Sequence, residues 1–418
     1  MDLKSSAKLA AQKYPVRTRK INNLIIVKSY QISKGIAIID PGVFMFESFK
    51  VPQEFIPSDP RFGVGPSLIP TEAVQNLAKS GFSLLGTSHR KTAVKNLVKE
   101  VQDGLRSYFK IPDNYEVVMG NGGATFLWDM IGLGMVEKSS VHFICGEFSD
   151  KWFRSHQNIP WISSSAVRVE FGQGINPVEV LGYDFISCTL NETSTGVQLS
   201  HIPHLSHPET IMAVDATSGA GQIKVDFNQI DLYYFSPQKV FASEGGLYIA
   251  IMSPKAIARS EKIARDKNRF IPESMKWSHA IENSRNNQTY NTPAISTIFF
   301  LNEQIKLMNK WGEEKVIEEA KRKAAMIYDW ADKKPYLSPF IKDKSFRSDS
   351  VATIDIDARY NVDDLTKMLR EQNVAYDIDG YRKLNRNQLR ISMFHNVTFE
   401  NLEKLTKVIS LAIESTPH

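Results

Sequence analysis

Cysteine is nearly absent: Cys145 and Cys188 are the two in 418 residues. A single pair cannot build the disulfide framework of a small secreted domain, so a reducing compartment is expected, and with it a cytoplasmic location. Long apolar runs are missing too. The nearest approach to a membrane span, residues 21–46, is broken by Lys28, Lys34 and Asp40, well short of the roughly 18 uninterrupted apolar residues a spanning helix needs. Internal repeats and low-complexity tracts are lacking, and 42% hydrophobic with 23% charged residues is the balance of a folded chain. A basic body is lacking as well. The net charge is +5, but residues 1–44 hold eight Lys or Arg against Asp2 and Asp40, so the other 374 residues sum to −1. A nucleic-acid binder carries its basic stripe on the folded body, so no nucleic-acid partner is expected, and no membrane either.

At ~150 residues per domain the length suggests two or three domains. Residues 1–44 show no sustained periodicity and precede a proline-punctuated stretch from Val51-Pro52 to Asp59-Pro60. They are expected to be a poorly ordered N-terminal extension, or the product of an upstream start codon, with the compact protein beginning near Met45. A targeting peptide is the competing reading of this basic segment, although its apolar runs, Leu24 to Val27 and Ile36 to Phe46, do not form one amphipathic helix.

From Thr92 to Phe109 apolar residues recur every three or four positions, the pattern of an amphipathic helix. Strand and helix patterns then alternate. Tyr115 to Met119 reads as a buried strand, Gly120 to Gly123 as a loop and Thr125 to Val136 as a helix. Val141 to Ile144, Asp184 to Leu190, Ile211 to Val214, Leu232 to Phe235 and Leu247 to Ile251 are further apolar runs. Such strands are buried on both faces, as in a mainly parallel α/β sheet. After Pro254 come long helices over Pro293 to Trp311 and Glu313 to Lys333. Strand Ser350 to Asp355, helix Val362 to Gln372, strand Gln388 to Met393 and helix Phe399 to Glu414 follow. The expected organisation is a large α/β domain over 45–310, then a linking helix and small α+β domain over 311–418.

Four strand ends carry polar residues where an open α/β sheet places its ligands. Gly120-Asn121-Gly122-Gly123-Ala124-Thr125 could cradle a phosphate at a helix N-terminus, though a glycine turn between strand and helix needs no ligand. Asp215 could equally cap the next segment, and Asn191-Glu192-Thr193 could be turn chemistry. Lys239, in Ser236-Pro237-Gln238-Lys239, would ordinarily be a solvated surface residue. Together, however, they describe a pyridoxal 5′-phosphate site: an amine for a Schiff base, a phosphate cradle, and a carboxylate to keep the pyridine nitrogen protonated.

The chain resembles the phosphoserine aminotransferase family, a class-V group of fold-type-I pyridoxal-phosphate enzymes, from about Arg61 to the C-terminus. The resemblance is carried by Phe62-Gly63-Val64-Gly65-Pro66, Gly86-Thr87-Ser88-His89-Arg90, Asn191-Glu192-Thr193, Val214-Asp215, Gln238-Lys239, Asn291-Thr292-Pro293 and Asp379-Gly380-Tyr381-Arg382 with Gln388-Leu389-Arg390. It implies a seven-stranded-type sheet flanked by helices, and a homodimer whose sites are shared between subunits. Lys239 would hold the cofactor, Asp215 pair with its ring nitrogen, Thr193 bond the ring hydroxyl and Phe148 stack on the ring. Ala124, Thr125 and Gln238 would surround the cofactor phosphate, with Asn291 and Thr292 reaching it from the partner. His89 and Arg90, also from the partner, would grip the substrate phosphate or distal carboxylate, and Arg390 the α-carboxylate. Thr125 and Tyr381 stand where many members carry Arg and His, so Arg382 is expected to take more of the substrate phosphate.

The implied reaction moves the amino group of L-glutamate to 3-phosphohydroxypyruvate, with a phosphorylated four-carbon acid of vitamin B6 synthesis as a further substrate. The rival readings are an alanine–glyoxylate-type aminotransferase, a cysteine desulfurase and a non-catalytic binding protein on the same fold. No metal is expected: His201, His204 and His207 are spaced by three, but Pro203 and Pro208 break any helix that would align them.

Overall fold

The computed structural model describes residues 45–416; the expected extension over residues 1–44 lies outside them. Helices α1 (Thr71–Leu84) and α2 (Thr92–Phe109) lead into β1 (Glu116–Asn121), α3 (Gly123–Met135), β2 (Ser139–Ile144), α4 (Glu147–Gln157), β3 (Ser163–Arg168) and β4 (Phe185–Thr189). A small ribbon, β5 (Asn191–Glu192) and β6 (Val197–Gln198), is followed by β7 (Ile211–Asp215), β8 (Leu232–Phe235), β9 (Leu247–Met252), α5 (Pro254–Ala264), α6 (Trp277–Arg285), α7 (Ile295–Trp311) and α8 (Glu313–Lys333). The chain ends with β10 (Leu337–Pro339), β11 (Val351–Ile356), α9 (Val362–Glu371), β12 (Gln388–Ser392) and α10 (Phe399–Glu414).

Seven strands form one sheet in the order β1-β9-β8-β7-β4-β2-β3. Pairing is parallel from β3 through to β8 and antiparallel on both sides of β9, so β9 alone runs against the rest. All residues of β4, β7, β8 and β9 are buried, which accounts for their unbroken apolar character. One face packs against α2 and α7 through residues such as Val101, Leu105, Ile298 and Met308. The other packs against α3 to α6 through Trp128, Trp152 and Trp277. The C-terminal strands form a second, antiparallel sheet, β10-β11-β12, with its own apolar core shared with α8, α9 and α10.

The residues leading into the body join that second core. Phe46 and Phe62 are fully buried in it, and the Met45 N–H donates to Asp364 Oδ2 at 3.2 Å. The Val51 N–H donates to Gln372 Oε1 at 3.0 Å and the Ser58 N–H to Asn401 Oδ1 at 2.9 Å. Among the described residues no helix is long and apolar enough to cross a membrane.

Three local readings change. Gly120 and Asn121, expected in a loop, end β1 opposite Tyr248 and Leu247 of β9. A glycine suits that register because a Cβ on Gly120 would fall 2.3 Å from the Tyr248 ring. The edge strand β3 and helix α4 carried no clean periodic signal, the first because its residues are half-exposed Ser-Ser-Ser-Ala-Val-Arg. The second buries Glu147, Ser149 and Asp150 along with Trp152 and Phe153.

Candidate active site

The carboxyl ends of β1, β2, β4, β7 and β8 meet at one sheet edge, and the residues at or just beyond them bring Thr125, Phe148, Thr193, Asp215 and Lys239 to the same cavity. The cavity has a volume of about 340 Å³, within the range of small-molecule sites. Ala124, Thr125, Phe148, Thr193, Asp215, Gln238, Lys239 and Arg390 all line it. Eight residues read from distant parts of the sequence are therefore brought together.

Lys239 lies in the turn that follows β8, four residues past Phe235, and is 8% exposed. Its Nζ donates to Thr193 Oγ1 at 2.7 Å and sits 5.1 Å from the centre of the Phe148 ring. Burial pushes the ammonium down to about 8, against the opposing pull of the Asp215 carboxylate. Its backbone is fixed by Ser67, whose hydroxyl donates to the Lys239 carbonyl at 2.6 Å. Gly65 leaves room for the side chain: a Cβ there would lie 2.7 Å from Lys239 Cε.

Asp215 ends β7. One carboxylate oxygen accepts the Thr217 N–H at 2.9 Å, the other the Trp128 indole N–H at 3.3 Å. The same indole nitrogen is 3.0 Å from the hydroxyl of Tyr234, which stands opposite Asp215 on β8. Glycines open α3: Gly122 and Gly123 have φ of 124° and 78°, conformations that favour glycine. The turn brings residues 122–125, at the N-terminus of α3, to the cavity wall, a position suited to an anion. The Ala124 N–H is held by Ser236 Oγ at 2.8 Å. Phe148 is set by Glu192, which is fully buried and accepts hydrogen bonds from the N–H groups of Phe148, Ser149 and Ser194 and the hydroxyls of Ser149 and Ser194.

The other expected residues lie elsewhere. His89 Nδ1 is 3.2 Å from Thr292 Oγ1, the Asn121 amide donates to the Thr292 carbonyl at 2.8 Å, and Arg90 donates to Gln288 Oε1 at 2.7 Å. His89, Arg90, Asn291 and Thr292 do not line the cavity, nor does Arg382, which is exposed beside Tyr381 on a separate hollow. Trp128, Tyr234, Glu192 and Ser236 were not singled out as site residues. Glu192 and Ser236 at least lie inside motifs already quoted. Trp128 lies among apolar helix residues, and Tyr234 inside a strand, where neither carries a signal.

The lining fits pyridoxal 5′-phosphate. Thr217 Oγ1, Gln238 Oε1 and Arg390 Nε are buried without a hydrogen-bond partner, which is costly unless a polar ligand supplies one. The cavity offers them together with a desolvated amine, a fixed carboxylate and a helix N-terminus.

Residues 181–405 match the family model for class-V aminotransferases. The phosphoserine aminotransferase of Corynebacterium glutamicum (strain R) is 42% identical over 366 residues, 87% of this chain and 97% of that one. The chain belongs to the phosphoserine aminotransferase family. A solved phosphoserine aminotransferase from Cytophaga hutchinsonii superposes with a TM-score of 0.78 at 25% identity, covering 84% of this chain and 98% of its own. A pyridoxal-phosphate-bound phosphoserine aminotransferase from Trichomonas vaginalis, at 21% identity and a TM-score of 0.71, covers 84% of this chain and 99% of its own and shares the fold. As in these relatives' family, the enzyme is a pyridoxal-phosphate-dependent aminotransferase on a fold-type-I scaffold. The desulfurase reading loses its nucleophile: Cys145 and Cys188 are each 1% exposed, and burial pushes both thiols far up.

Proposed function

We propose that the enzyme transfers the amino group of L-glutamate to 3-phosphohydroxypyruvate, giving O-phospho-L-serine and 2-oxoglutarate. The observation that carries this reading is the buried Lys239 amine, hydrogen-bonded to Thr193 and facing Asp215 in one cavity, within a chain 42% identical to a phosphoserine aminotransferase. When bound, pyridoxal phosphate supplies the electron sink that lets a Cα–H bond of an amino acid break heterolytically. The chain's own groups do the rest. Burial keeps a fraction of Lys239 uncharged near neutral pH, which suits it to attack an aldehyde carbon. Once an incoming amino acid displaces it, Lys239 Nζ is free to take a proton from Cα and return it elsewhere. Asp215 would keep a proton on the ring nitrogen of a bound cofactor. Arg390, mostly buried at the cavity wall, would pair with a substrate carboxylate.

His89, Arg90, Asn291 and Thr292 are assigned to the site of a partner subunit in a homodimer. Their position supports this: they contact one another and Gln288 or Asn121 at half-exposed or exposed positions instead of lining their own cavity. Two buried free thiols support a reducing, cytoplasmic setting. A division near residue 311 is supported by the separate apolar core of the C-terminal sheet, which also takes in Phe46 and Phe62 of the arm expected in the first domain.

The test is a visible absorption spectrum of the protein purified with pyridoxal phosphate, its change on adding glutamate, and turnover with 3-phosphohydroxypyruvate beside glyoxylate. Faster turnover of glyoxylate would favour the alanine–glyoxylate reading, and absence of any band would favour a binding protein.

A further inference from the structure

We propose that Lys151 is a specificity residue of this enzyme, its ammonium binding the phosphate of the phosphorylated oxo acid at the cavity mouth. The inference rests on the function proposed above and names a group that none of the motifs contains.

A three-carbon phosphorylated oxo acid carries a carboxylate at one end and a phosphate at the other, and needs cationic groups for both. The cations lining the cavity are Lys239 and Arg390. Lys239 is committed to the reacting centre. Arg390 stands against the Thr193 carbonyl at 3.4 Å, close to that centre, where it suits the carboxylate. Within its own chain the site leaves the phosphate to whatever stands further out, to act beside the His89 and Arg90 assigned above to a partner subunit.

Lys151 stands there. It lies on α4 three residues after Phe148, so both project from one helix face. Its Nζ is 5.2 Å from the centre of the Phe148 ring, the same ring that faces Lys239 Nζ at 5.1 Å. It donates to the Tyr381 hydroxyl at 3.4 Å, a long bond that a phosphate oxygen could readily replace. Tyr381 itself lines the cavity and packs on both Phe148, at 5.8 Å between ring centres, and the Arg390 guanidinium, at 5.3 Å. Lys151 and Arg390 thus flank one phenol at the rim.

The acid nearest Lys151 does not cancel it. Glu147 is buried and hydrogen-bonded to Lys383, whereas its oxygen is 3.9 Å from Lys151 Nζ. Lys383 therefore neutralises Glu147, which would otherwise repel a phosphate, and Lys151 keeps its charge available. Its side chain is 36% exposed, so the ammonium can turn toward a ligand without unpacking the helix.

The test uses the holoenzyme and the variants Lys151→Met, Lys151→Gln and Lys151→Arg, with thermal midpoints measured to confirm folding. Met and Gln are expected to raise KM for 3-phosphohydroxypyruvate about tenfold with kcat within about twofold, as loss of ground-state binding does. They should weaken competitive inhibition by inorganic phosphate to a similar degree. The KM for glutamate should rise less than about threefold, because its distal carboxylate carries a single charge, and Arg should restore the wild-type values to within about threefold. Unchanged KM for the phosphorylated acid, or equal rises for both substrates, would overturn the proposal. A wild-type enzyme inactive on 3-phosphohydroxypyruvate would overturn the functional reading, and this proposal with it.

Discussion

Lys239 and Glu192 show how differently single residues in one site are supported. Lys239 supplies chemistry that no neighbour duplicates. Lys239→Ala is expected to leave a folded protein that shows no cofactor band and loses transamination by roughly a thousandfold or more, measured by absorbance and a coupled assay. Glu192 supplies acceptors. Its two oxygens take five hydrogen bonds from the β5–β6 ribbon and the start of α4. In Glu192→Gln the amide nitrogen would face N–H and O–H donors, so a loss of about 2–3 kcal/mol in urea unfolding is expected, with weaker cofactor binding because Phe148 is no longer fixed. Residues of the first kind were legible in the sequence. Lys239 and Asp215 each had an ordinary reading alone, and were legible because four polar strand ends together described one pyridoxal-phosphate site. Trp128 was not, because an indole within Phe126-Leu127-Trp128 reads as core, and its N–H reaches Asp215 only through the crossing of α3 over β7.

At the scale of elements, the turn into α3 depends on backbone freedom. Gly123 combines φ of 78° with a Cβ position 3.0 Å from Ser236 Oγ. Gly123→Ala is expected to cost about 1–2 kcal/mol in stability and to weaken cofactor binding several-fold, read by equilibrium dialysis. Helix α8 carries a different device. Lys323 is 1% exposed and donates to the carbonyls of Phe394 and His395, and burial pushes its ammonium down to about 8. Its unfolded value is about 10.4, so between pH 8 and 10 the unfolded chain binds more protons and stability rises with pH. Lys323→Met should remove roughly 2 kcal/mol of the rise between pH 7.5 and 9.5, seen in urea midpoints of the two proteins at both values. Comparing variant with wild type cancels the rise of the same sign from Lys239.

The strands of the central sheet were legible because burial on both faces leaves them apolar throughout, and α2, α8 and α10 because one face of each is. The edge strand β3 and helix α4 were not. An edge strand can stay polar where its outer side meets water, and α4 buries polar groups that the site needs, which erases the apolar stripe.

For the whole molecule, the assignment of His89 and Arg90 to a partner's site has a measurable consequence. Mixed dimers of Lys239→Ala with Arg90→Ala should regain up to about half the wild-type activity, since one site collects both defects and the other none, provided heterodimers are isolated by orthogonal tags. No recovery would mean that both residues act within one chain. Packing across the molecule is tested by Phe46→Ala, expected to cost about 3–5 kcal/mol because the ring is fully buried in the C-terminal core. That contact sets an order of events during synthesis. The hydrogen bonds of Met45, Val51 and Ser58 span 319, 321 and 343 residues, so this arm has no docking place until almost the entire chain has left the ribosome. At about 5–20 residues per second it waits tens of seconds, exposing Phe46 and Phe49 to chaperones while the parallel sheet is already able to form. The C-terminal layer therefore closes last, and the arm acts as a latch that only a finished chain can fasten.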